Sequence, residues 1–86
     1  MNRVQSITTK KIGKHKALGL AYTETGEIVI DERLKGFQHL LILIHEIMHV
    51  QNPRWGEEKI KGHSEEMARL LWEQHYRKVN NTTSDM

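Results

Sequence analysis

Leu40-Leu41-Ile42-Leu43-Ile44-His45-Glu46-Ile47-Met48-His49 is the stretch on which the fold of this chain turns. A helix advances about 100° per residue, so side chains four apart lie about 40° apart and one turn up. His45 and His49 therefore point the same way and can share one metal ion. Glu46 stands about 100° round the helix from His45, within reach of a water on that ion but badly placed to be a third ligand. Two neutral imidazoles and a carboxylate are what zinc hydrolysis uses: a Lewis acid, and a base for its water. Leu40 to Ile44, Ile47, Met48 and Val50 make the helix apolar nearly all round, which predicts a central position. The blander alternative is a helix with two satisfied histidines. Titratable groups in a buried helix need a reason to be there, which favours the metal site.

Outward from this stretch, the helix is predicted from about Phe37 to Gln51. Asn52-Pro53 ends it, because proline has no N–H and restricts the residue before it. Upstream, Ala17–Thr23 and Glu27–Asp31 read as two strands joined by Thr23-Glu24-Thr25-Gly26, a β-hairpin. Leu18, Leu20 and Tyr22 alternate on one face of the first strand; Ile28 and Ile30 share a face of the second, with Val29 opposite. Downstream, a second helix should cover most of Glu57 to Lys78. Glu57 and Glu58 suit its positive end, and Arg77 and Lys78 its negative end. Gly62 is a candidate break, with Ser64 as a fresh N-cap. The fold class expected is α+β, a small antiparallel β-hairpin or sheet packed on two antiparallel helices.

The 86 residues hold one domain. Residues 1–16 read as a basic N-terminal arm or an edge strand, 17–79 as a single metal-binding domain and 80–86 as a disordered tail. A core of this size is often helped by a metal or a partner. With no cysteine there are no disulfides or thiolate sites, so any zinc must use His, Asp or Glu. The start lacks the apolar core of a signal peptide, and the central apolar run is too short for a membrane span, which predicts a cytoplasmic protein. A net charge of +2 and a pI near 9.0 permit a nucleic-acid contact without demanding one. Arg3, Lys10, Lys11, Lys14, His15 and Lys16 would make a weak phosphate-binding arm, or only a solvated one.

A catalytic zinc usually has three protein ligands. If both helices end near the loop, the metal lies level with Gly62 or His63 of the second helix. On the wheel, His63 stands about 50° from the centre of the apolar face made by Ile60, Met67, Leu70 and Leu71. His63 is therefore the first candidate. Glu57, Glu65 and Glu66 remain alternatives, Glu57 being nearer that face but at the mouth of the loop.

His45-Glu46-Ile47-Met48-His49 followed by Gly62-His63-Ser64-Glu65-Glu66-Met67 resembles the active-site segment of SprT-like zinc metallopeptidases and their small relatives. The likeness covers about residues 28 to 76. It implies a small sheet, an active-site helix and a second helix that brings the third ligand. It also implies a Zn2+ cofactor held by His45, His49 and His63, with Glu46 as catalytic base. Trp55 to Tyr76, with Glu57-Glu58, Ala68-Arg69, Leu71-Trp72 and Tyr76, also resembles small phage-encoded zincin-like proteins.

The function this points to is peptide-bond hydrolysis of a peptide or protein substrate through a metal-bound water, with Glu46 as general base. Tyr22, His75 and Tyr76 are candidate oxyanion donors. The strand Glu27–Asp31, if it borders the cleft, would pair with an extended peptide. One alternative is a non-catalytic zinc-stabilised binding domain. The other is a DNA-binding regulator using Lys10, Lys11, Lys14 and Lys16, which no aromatic-rich or helix-turn-helix pattern supports.

Overall fold

The structure, a computed structural model, describes residues 2–13 and 17–79. The tail expected over 80–86, and Lys14, His15 and Lys16 of the arm, lie outside them. Three strands form one sheet in the order β1-β3-β2: β1 (Ser6–Lys10), β2 (Gly19–Tyr22) and β3 (Glu27–Asp31). β3 is central, antiparallel to β2 and parallel to β1. The hairpin is therefore present, and the N-terminal segment adds an edge strand to it. Helix α1 (Gly36–Gln51) packs on β2 and β3 and also on α2 (Glu57–Glu73), whereas α2 packs on α1 alone. The fold is α+β in three layers, with α1 in the middle. That position explains why α1 is apolar nearly all round: it has two neighbours to satisfy.

The helices run antiparallel. Phe37, near the start of α1, meets Trp72, near the end of α2, edge-on at 5.5 Å. At the other end Glu57, the first residue of α2, touches His45 and His49. α2 continues through Gly62 and ends at Glu73, covering most of Glu57 to Lys78 as expected. His75 leaves the helix in the left-handed conformation (φ 71°), and its N–H bonds back to the Trp72 carbonyl. Arg77 caps this end, its guanidinium lying 3.4 Å from the Trp72 ring centre and donating to the Trp72 carbonyl at 2.7 Å.

Ile28, Ile30 and Val50 form the core between sheet and α1, with Ile42, Leu43 and Ile47 packed against it. Ile28 and Ile30 are fully buried, each stabilising the fold by about 1.5–3 kcal/mol. Register puts Gly19 opposite Ile30 and Ala21 opposite Ile28. The core face of β2 is thus Gly19 and Ala21. Leu20 and Tyr22 lie on the other face, and Leu18 and Tyr22 are exposed.

Two devices fasten the N-terminal strand. Gly26, in the hairpin turn, has φ +81°, and a Cβ there would fall 2.5 Å from the Arg3 carbonyl oxygen. The Gln5 N–H donates to the Gly26 carbonyl at 2.8 Å. At the far end Asp31 is fully buried. Its carboxylate accepts from the Arg33 N–H at 2.8 Å, from Arg33 Nε at 2.8 Å, from Arg33 Nη2 at 2.6 Å and from the Ile12 N–H at 3.4 Å. Those bonds, led by the Arg33 side chain, hold the Asp31 carboxyl well below the usual carboxylate range.

Candidate metal centre

α1 presents His45 and His49 on one side, between its sheet-facing and α2-facing surfaces, with the two Nε2 atoms 3.2 Å apart. Glu57 closes the triangle, its Oε2 2.9 Å from His45 Nε2 and its Oε1 3.0 Å from His49 Nε2. Both imidazoles are half-buried, while Glu57 is exposed. Three donors of zinc-ligand type, two nitrogens and a carboxylate, thus converge on one point at nearly equal spacing. Zinc–ligand bonds of about 2.0–2.2 Å set tetrahedral donors roughly 3.4 Å apart, so the triangle needs only a slight opening to hold the ion. Among the described residues this is the group able to hold a metal.

His63, the expected third ligand, is not part of it. Its ring lies on the Trp55 ring, 4.9 Å between centroids, and it is exposed. Two physical reasons explain the difference. First, the loop Asn52–Gly56 carries α2 back alongside α1, so the first turn of α2, not the turn that carries His63, is level with the histidine pair. Second, the buried stripe of α2 is Ile60, Ser64 and Ala68. Met67 and Leu70, which had defined the apolar face, are 41% and 47% exposed. Glu57 falls on the buried stripe, three residues before Ile60, while His63 lies about 100° from it. The signal was present as small residues at four-residue spacing, Ser64 and Ala68, which let two helices approach. Of the other carboxylates, Glu65 is exposed and Glu66 pairs with Arg69 at 2.7 Å.

Glu46 is 9% exposed and lies beneath β2. Burial pushes its carboxyl above the ordinary value, His45 and His49 pull it down, and Glu57 adds to the rise. Beside these groups is an open groove of about 340 Å³ lined by His45, Glu46, His49, Glu57, the strand residues Gly19, Leu20 and Ala21, and Thr23 of the hairpin turn. The bordering strand is thus β2. β3 has a partner on each side and offers no free edge to a peptide. The Asp31 N–H bonds to the Leu18 carbonyl, so in this register the backbone groups of Leu18, Leu20 and Tyr22 are the ones that point at β3. By alternation the N–H and C=O of Gly19 and Ala21 point outward from β2, on the groove side. Tyr22, His75 and Tyr76 do not line the groove. No family model, curated protein or solved structure matches the chain. Among the described residues, no helix is long and apolar enough to cross a membrane.

Proposed function

We propose that this protein is a small zinc-dependent peptidase of the zincin kind, its metal held by His45, His49 and Glu57. The carrying observation is the convergence of His45 Nε2, His49 Nε2 and the Glu57 carboxylate within 3.2 Å of one another, beside the buried carboxylate of Glu46. Zinc, when bound there, supplies a Lewis acid that polarises a carbonyl and acidifies water. Glu46 is the group that takes a proton from the attacking water and returns it to the leaving amine. Its burial keeps bulk water from competing for that proton and raises its basicity. The outward N–H and C=O groups of Gly19 and Ala21 offer hydrogen bonds to an extended peptide, aligning a scissile bond along the groove. Glu57 spans α1 and α2, so the same ion would also hold the helix pair together.

That last point supports a second reading, a zinc-stabilised binding domain without turnover. Glu46 separates the two, because a purely structural site needs no buried carboxylate beside it. Glu46→Gln is expected to keep one zinc per chain and to lose casein hydrolysis. A Glu46→Gln protein that cleaves casein as fast as the parent would remove the base assignment.

A further inference from the structure

Gly19 is a glycine for reasons of space and not of backbone conformation. Among the described residues positive φ at glycine occurs at Gly26 and Gly36, so Gly19 sits in a conformation open to any residue. A Cβ built on it would lie 2.8 Å from Ile42 Cγ2, 2.9 Å from Glu46 Cγ and 3.0 Å from Glu46 Oε2. Carbon atoms do not pack that closely, since the optimum separation is about 3.5–4.0 Å. Ile42 and Glu46 are four apart on α1 and share the face beneath β2. The backbone of β2 therefore rests directly on the Glu46 side chain, leaving it little room to turn.

We infer that Gly19 is a positioning residue: by bringing bare backbone onto Glu46, it fixes the direction in which that carboxylate points into the groove. This rests on the peptidase reading for its catalytic consequence, though not for its geometry. The three atoms nearest a Cβ at position 19 belong to Ile42 and Glu46 and not to His45, His49 or Glu57, so its role is separable from metal binding. A methyl at position 19 must displace Ile42 Cγ2 and the Glu46 side chain together. Ile42 can yield without chemical effect. Glu46 cannot, because a displacement of about 1 Å at a reacting group costs on the order of 10²-fold in rate.

The test uses the whole chain loaded with zinc, as parent, Gly19→Ala, Ile42→Ala and the double variant. Gly19→Ala is expected to bind zinc within about threefold of the parent and to keep its KM for a fluorogenic peptide. Its kcat should fall by about 10- to 100-fold. Ile42→Ala removes the other clash, so the double variant should fold as well as Ile42→Ala yet keep the kcat deficit. Crystal structures supply a readout independent of turnover: Glu46 Oε2 should shift in Gly19→Ala while His45, His49 and Glu57 superpose on the parent. A parent without turnover overturns the peptidase reading and leaves the crystallographic arm to decide the positioning role. The positioning role itself is overturned if Glu46 stays in place in Gly19→Ala, if the double variant regains the kcat of Ile42→Ala, or if zinc affinity falls in step with kcat.

Discussion

Replacing Glu57 and His63 in turn gives opposite outcomes for the two assignments of the third ligand. In the proposed site Glu57 supplies one of three donors, its carboxylate oxygens 2.9 and 3.0 Å from the two imidazoles. Loss of a mere outer-shell partner costs about 10–100-fold in metal affinity, so losing a donor is taken as at least 100-fold, about 2.7 kcal/mol. With free zinc at a hundred times the parent Kd, binding stabilises the folded chain by about 2.7 kcal/mol. A small domain gains about 4–8 °C per kcal/mol, so zinc should raise the melting temperature of the parent by about 10–20 °C. In Glu57→Ala the same zinc only matches the new Kd. It leaves about 0.4 kcal/mol, a rise of about 2–3 °C. His63→Ala loses its contact with Trp55, of about 0.5–1.5 kcal/mol, with and without zinc alike, and keeps the full zinc increment. The assay is scanning calorimetry with and without zinc, backed by metal content after gel filtration. A zinc increment that survives Glu57→Ala and vanishes in His63→Ala would refute the geometry.

Two further outcomes probe the framework around the site. The folded Asp31 carboxyl lies below its unfolded value, so the stability it contributes is present above about pH 4 and is lost as pH falls toward the folded value. Urea denaturation at pH 7, 4 and 3 should show this loss in the parent and a flatter profile in Asp31→Asn; parallel profiles would remove Asp31 as the source. On α2, Ala68→Leu overpacks a fully buried position and should cost at least about 1–3 kcal/mol. Met67→Ala, at an exposed position, should stay near the about 0.5 kcal/mol of a surface change, and equal costs by denaturant titration would mean that the buried stripe is misassigned.

Much of the architecture was legible because local patterns carry it. Thr23 to Gly26 marks the hairpin turn, Asn52-Pro53 ends α1, and the apolar girth of Leu40 to Val50 announces a helix with neighbours on two sides. The His45, Glu46 and His49 geometry follows from helical spacing alone, since one rigid element holds all three. What stayed hidden depends on how separate elements meet. The parallel pairing of β1 with β3 joins residues twenty-one apart, as in Ser6 with Glu27, and no local period encodes it. The Asp31–Arg33–Ile12 clamp is likewise assembled only when the ends of β1 and β3 lie side by side.

The third donor shows the same division most plainly. The sequence determined a helix carrying two histidines and a carboxylate, and a second helix rich in further donors. Only tertiary structure decided which donor arrives, because that depends on the depth and rotation with which α2 docks. β3 and the first turn of α2 meet α1 through Ile28, Ile30 and Ile60, but beside them the contact is made by small residues: Gly19 and Ala21 from β2, Ser64 and Ala68 from α2. The larger side chains beside them, Tyr22, Met67 and Leu70, are turned outward. Ranking faces by apolar size therefore selects the wrong side of both neighbours. Close packing against an already crowded helix brings Glu57 to the histidine pair and leaves His63 on Trp55.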